Sequence, residues 1–344
     1  MRSRMITLFG AIVAGAGAVV GPAAHADPVA DFYKGKTITM LTGTALGSAY
    51  GIHAQIFREY FSRNLPGNPN VIVQAMPGGG GAKMVNYLYN AAPQDGSFIG
   101  FPLKYLAVDQ VLGRKGLKYD ARKFGYIGTL GPINSAVVVW RDTSPALTLE
   151  DMKKKQVVMG ATGRSSETFI TPTLMNNLLG TRFRIVSGYK GMAGISLAIE
   201  RGEVHGRAGS WDSLKSANAN WLSDRKIVIF AQSGLERADD LKDVPTLIDL
   251  ARDANARQVL EFFGNGNAVG WLMIAPPRVP APRLAAMRAA FDKTVADAKY
   301  RSDLAKKKLD ISPRPGAYVE KLIVSTVSVA PHLVTRIKQA MGTQ

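Results

Sequence analysis

Three turns in the sequence carry residue types that could hold a small anion. The first, Gly43-Thr44-Ala45-Leu46-Gly47-Ser48, follows an apolar strand pattern and precedes helical spacing. Glycine permits a tight turn there, Ser48 is placed to cap the helix, and Thr44 offers a hydroxyl. Unpaired amides at such a helix start favour negative charge. The second, Pro77-Gly78-Gly79-Gly80-Gly81-Ala82-Lys83, reads either as a backbone nest for an anion or as a flexible linker. The third is Gly160-Ala161-Thr162-Gly163-Arg164-Ser165-Ser166-Glu167-Thr168. It crowds hydroxyls and a guanidinium at one helix start, with plain helix capping as the competing explanation. Neither glycine turn is a nucleotide loop. Ala45 stands where G-x-G-x-x-G needs its second glycine, and Ala82 and Met84 flank Lys83 where a Walker A loop needs Gly and Ser or Thr.

The usual catalytic sets are missing. The chain has no Cys, which excludes disulfide frameworks, Cys-ligated metals and cysteine nucleophiles, and it has only four His. Ser165 and Ser166 lie in G-R-S-S-E rather than a G-x-S-x-G elbow. Neither H-E-x-x-H nor an EF-hand loop occurs, and no spacing singles out a carboxylate pair for acid–base work. A non-catalytic protein without cofactor or metal is therefore expected. The alternative is a periplasmic hydrolase whose nucleophile and base are unmarked.

Lys and Arg number 43 against 26 Asp and Glu, a formal net charge of +17 over 344 residues. An anionic-polymer binder, the other alternative, would want clustered charge. The densest runs, Lys153-Lys154-Lys155 and Lys306-Lys307-Lys308, instead sit near expected helix ends, where cations favour the dipole. Nucleic acid is not an expected partner, and the basic surface reads as solvated and able to steer small anions. Arg2 and Arg4 precede an apolar run from Met5 to Val20, and Ala24-His25-Ala26 fits the signal-peptidase rule. The run is shorter than the roughly 20 residues that cross a bilayer. Residues 1–26 are expected to be a signal peptide, cleaved after Ala26 on export to a periplasm.

The three turns have to be positioned by strand and helix patterns that alternate almost throughout, the mark of α/β layers. Strand patterns include Ile38 to Thr42, Val71 to Gln74, Phe98 to Phe101, Ala136 to Trp140, Val157 to Ala161 and Ile227 to Gln232. Helical spacing covers Ser48 to Phe61, Lys83 to Tyr89 and Ile170 to Leu179. Thr148 is expected to cap a short helix. The tail reads as helices over Ala281 to Ala298, Tyr300 to Lys307 and, unbroken, Ala317 to Met341.

Several short motifs then fall in order along the chain. Phe32-Tyr33-Lys34-Gly35-Lys36-Thr37-Ile38 leads into the first strand, followed by Pro77-Gly78-Gly79-Gly80-Gly81 and Ala92-Pro93-Gln94-Asp95-Gly96. Tyr189-Lys190-Gly191, Asp243-Val244-Pro245-Thr246 and Ala275-Pro276-Pro277 come later. In this order and spacing the chain resembles the Bug/TctC-like family, periplasmic substrate-binding proteins of tripartite tricarboxylate transporters. The resemblance implies an α/β fold of the type II periplasmic-binding class, with two lobes, a hinge and an interdomain ligand cleft. Residues 27–132 plus 252–312 would form lobe 1 and residues 133–251 lobe 2, with 313–344 a C-terminal helix packing back on the lobes. An ABC-type receptor with the same two-lobed form stays open.

The resemblance also implies a monomeric receptor for a small organic acid that hands its ligand to inner-membrane transporter subunits. Ligand contacts carry over to Thr44, Ala45, Leu46, Gly47 and Ser48, and to Gly78, Gly79 and Gly80. In the other lobe they fall on Thr162, Ser165, Ser166, Tyr189, Lys190 and Gly191, with Gly209, Ser210 and Trp211 where a further cleft loop is expected. The chain departs from the family where Gly51 sits near the position of an Asp that recognises some amine-bearing ligands, which favours a ligand without an ammonium group. Lys104 and Arg164 are added cations; if they face the cleft, a second carboxylate or an aromatic acid fits.

Overall fold

The computed structural model describes residues 27–164, 166–307 and 309–342; the expected signal peptide and Ser165 lie outside them. Two sheets organise the chain. The first takes β1 (Thr37–Thr42), β2 (Asn70–Ala75), β3 (Phe98–Phe101) and β4 (Gly125–Thr129). The second takes β5 (Ser135–Trp140), β6 (Val157–Ala161), β7 (Phe183–Ser187), β8 (Gly206–Ser210) and β9 (Ile227–Gln232). The chain then returns to the first sheet through β10 (Leu272–Ala275) and β11 (Arg314–Pro315). Strand order is β11-β4-β10-β3-β1-β2 in one sheet and β7-β6-β8-β5-β9 in the other. This is the two-lobed α/β architecture expected from the sequence.

Strand direction decides which ends meet the opposite lobe. β1 runs parallel to β2 and β3, with Thr42 beside Ala75 and Phe101, so the turns after all three leave one edge. In the second sheet β6 runs parallel to β7 and β8, while β5 is antiparallel to β8 and β9, pairing Ser135 with Ser210 and Ala136 with Gln232. The carboxyl ends of β6 to β9 therefore share an edge with the start of β5, where the chain arrives from the first sheet.

The crossing segments 130–134 and 267–271 run side by side. Ile133 N–H donates to the Asn267 carbonyl (2.9 Å) and Trp271 N–H to that of Gly131 (3.1 Å). A Cβ at Gly270, whose φ is +39°, would stand 2.1 Å from the Gly131 carbonyl oxygen, so only glycine allows the approach.

Helices cover the sheets through apolar stripes. Ala49–Asn64 buries Phe57, Tyr60 and Phe61 against β1, together with Met287 and Phe291 of helix Ala281–Ala296. Thr148 caps helix Leu149–Lys154 as expected, accepting from Asp151 N–H. Helix Ala254–Val269 was not expected and lies in the stretch assigned to lobe 1. It packs Val259, Leu260, Phe262 and Phe263 into one cluster with Val137, Ile170 and Phe230 of the second sheet. The expected unbroken tail helix is two helices, Gly316–Val327 and Pro331–Ala340. Pro331 has no N–H to donate and disfavours helical geometry at Ala330, so the helix must restart there. The first half buries Val319 and Ile323 with Tyr126 and Ile274 of the first sheet. The second half buries Ile337 and Ala340 beside the second. No helix of the described residues is long and apolar enough to cross a membrane.

Candidate functional site

The first two turns lie together on the first sheet's edge. A Cβ on Gly43 would sit 3.1 Å from Gly81 Cα. In the first turn the hydroxyls are used locally. Ser48 Oγ donates to the Ala45 carbonyl (2.7 Å) and accepts from Gly51 N–H (3.2 Å). Its one proton being committed, Thr44 Oγ1 donates to it at 2.7 Å, and Thr42 Oγ1 in turn donates to Thr44 at 3.1 Å. Thr44 and Ser48 thus hold the turn rather than offering free hydroxyl protons. The N–H groups of Ala45, Leu46 and Gly47, all exposed, have no acceptor among the described residues.

In the second turn Gly78, Gly79, Gly80 and Gly81 have φ of +140°, +55°, +62° and +90°. A non-glycine chain resists such a run, which accounts for the four glycines without invoking a floppy linker. Gly81 N–H folds back on the Gly78 carbonyl (3.0 Å), whereas the exposed amides of Gly79 and Gly80 have no acceptor among the described residues. Arg114, held by Asp109 at 2.8 Å, lies beside Gly80.

The third turn repeats the logic on the opposite lobe. Thr168 Oγ1 accepts from Thr162 N–H (3.0 Å) and pairs with Ser166 Oγ (2.6 Å), and Ser166 Oγ donates to the Gly163 carbonyl (2.6 Å). Arg164 is exposed. Tyr189 stands beside the same turn, its amide on the Ala161 carbonyl, with Lys190 and Gly191 exposed next to it.

Ser210 caps helix Trp211–Ala217. Trp211 donates to Asp240 at 2.8 Å and lines a separate cavity of about 520 Å³ with Asn134, Lys215, Asp240 and Asp310. None of the three turns lines that cavity. Of the sequence-derived residues, Trp211 lines this cavity instead, its indole bound to Asp240.

Lys104 does reach the space between the lobes, but not as a free cation. Its Nζ is 2.7 Å from Glu167 Oε1 across the two edges and 3.4 Å from Ser135 Oγ, and the residue is 6% exposed. Tyr50 OH accepts its backbone N–H at 3.2 Å. Burial pulls the ammonium below its usual pKa, and Glu167 opposes that pull. Burial, reinforced by the charge of Glu167, raises the Tyr105 phenol well above its usual range. Glu167, Tyr50, Ser135 and Arg114 were not singled out from sequence. Glu167 reads locally as an acid in a helix's first turn, and nothing local points to a lysine 63 positions away.

Beneath the first turn, Tyr50 and His53 pack on Trp271, with ring centroids 4.7 and 4.4 Å apart. Burial lowers His53 from 6.5 to about 4, and its Nδ1 has no partner among the described residues. The unfolded imidazole binds a proton near pH 6.5 and the folded one only near pH 4. The associated stability is complete above the first value and lost as pH falls through the second, a difference of about 3 kcal/mol. A His53→Met variant is expected to lose correspondingly less when urea midpoints are followed from about pH 7 to about pH 4. Equal losses in both proteins would refute the assignment.

Among the described residues no group of three or more His, Asp or Glu is placed to hold a metal. No family model and no curated protein matches the sequence. Solved structures do. A TctC solute-binding protein from Polaromonas superposes with a TM-score of 0.68 at 19% identity, covering 89% of this chain and 99% of that one. MatC from Rhodopseudomonas palustris with bound malate gives 0.65 at 19%, covering 88% and 99%. Another R. palustris protein, with adipate, gives 0.67 at 14%, covering 89% and 97%. The chain has the two-lobed fold of these solute-binding proteins.

Proposed function

We propose that the protein is a non-catalytic periplasmic receptor that captures a small organic carboxylate between its lobes for a tripartite tricarboxylate-type transporter. The observation that carries this reading is the unpaired amides of Ala45, Leu46, Gly47, Gly79 and Gly80. They sit on the edge that faces the polar turn of Thr162 and Ser166, and an anion accepts hydrogen bonds from such groups without a covalent step or a metal. Tyr189, Lys190 and Gly191 complete the far wall. The fold shared with proteins that hold malate and adipate supports the ligand class.

Each charge-assisted hydrogen bond contributes on the order of 1.5–3 kcal/mol net. Three or four of them, less the cost of ordering, reach the roughly −8 kcal/mol of a micromolar complex. Closure of the lobes desolvates the ligand, and the closed form docks on membrane subunits as a monomer. Calorimetric titration of the purified mature chain with a panel of mono- and dicarboxylates is expected to give micromolar binding for at least one class. Silence across the whole panel would remove the proposal.

A further inference from the structure

Lys104 and Glu167 come from opposite lobes, one just after β3 and the other opening helix Glu167–Leu174. Their side chains are only 7% and 13% exposed. Leu103, next to Lys104, lies 3.1 Å from where a Cβ on Gly81 of the second turn would stand, and Glu167 follows Ser166 of the third. The pair therefore stands directly beside both proposed anion-binding walls. Ser135 Oγ lies 3.4 Å from the ammonium and Ser233 Oγ 3.4 Å from Glu167 Oε1, so Oε1 is engaged twice.

Resting on the carboxylate-receptor reading, we propose that Glu167 sets the ligand class by neutralising Lys104. The cleft then accepts one carboxylate at the glycine turns and rejects a second one at the ligand's far end.

The physics is that of a charge already matched. A free buried ammonium would attract a distal carboxylate strongly. Paired with Glu167 it offers no net charge, and a second ligand carboxylate would meet the Glu167 carboxylate in a poorly solvated space. A neutral or hydrogen-bond-donating far end meets no such penalty. Because one partner comes from each lobe, the same bond closes the cleft while the monoacid is held.

The experiment compares acids of equal chain length, hexanoate with adipate and pentanoate with glutarate, by calorimetric titration. The wild-type chain is expected to prefer the monoacid by about tenfold or more, the equivalent of 1.4 kcal/mol. Glu167→Gln, which frees the Lys104 charge, is expected to reverse that preference. The double variant Lys104→Met/Glu167→Gln, neutral on both sides, is expected to bring the monoacid preference back. A merely structural pair would move both affinities together and leave the ratio fixed, which would overturn the proposal, as would a wild-type preference for the diacid. Binding of no acid at all would instead defeat the receptor reading. In that case the interlobe bond is read in the ligand-free protein from spin labels on the two lobes. Glu167→Gln and the double variant are both expected to lengthen that distance, since neither keeps the ion pair; an unchanged distance would refute the pairing independently of ligand.

Discussion

Trp271→Ala is expected to lower the unfolding free energy by about 3–5 kcal/mol, with loss of ligand binding at concentrations that saturate the wild type. The indole is 2% exposed and packs against Tyr50, His53 and Phe101. Its backbone also belongs to the crossing between the sheets, exchanging hydrogen bonds with Leu130 and Gly131. Truncation leaves a cavity under helix Ala49–Asn64, which follows the turn of Ala45 to Gly47, and it removes the wall that seats Tyr50. Tyr50 in turn accepts the Lys104 amide. Urea denaturation gives the stability change. A loss below about 1 kcal/mol would show that the neighbouring rings collapse into the space without consequence.

Gly80→Val is expected to leave the fold intact while weakening affinity for the ligand by more than about tenfold. Gly80 sits at φ +62° and ψ +38°, a left-handed conformation that costs a branched residue roughly 1–2 kcal/mol. Its Cβ would also stand 2.7 Å from Arg114 Nη2, pushing that guanidinium off Asp109. The turn relieves both strains by flipping its peptides, and the amides of Gly79 and Gly80 then no longer point together. Gly47→Ala is the matched control, since a Cβ there meets nothing within 4 Å and the amide is retained. Titration of the two variants side by side decides the matter: equal affinities would show that the second turn does not touch the ligand.

What the residues disclosed in advance follows from how local the signals are. β6 and β9 match their expected limits because runs such as Val157-Val158-Met159 and Ile227-Val228-Ile229-Phe230 have no helical alternative of adequate length. The third turn was legible as polar, and its capping network shows why so many hydroxyls gather there. Helix Ala254–Val269 was missed because Gly264, Asn265, Gly266 and Asn267 depress its local propensity. Burial of Phe262 and Phe263 against the second sheet overrides that weakness. Arg164 and Trp211 looked alike as cleft residues from their positions after strands, yet one is exposed and the other is bound to Asp240.

The sequence by itself determined the alternation of strands and helices, the glycine turns, and the absence of any cysteine chemistry. Each is a property of neighbouring residues, read through propensity, φ requirements and composition. Only the tertiary structure decided that Lys104 is spent on Glu167, that Tyr50 and Trp271 support the first turn, and that the Trp211 indole is bound to Asp240 at a separate cavity. Those outcomes depend on which strand ends share an edge and on what desolvation each charge meets there, and pairing across two sheets leaves no trace in spacing along one chain.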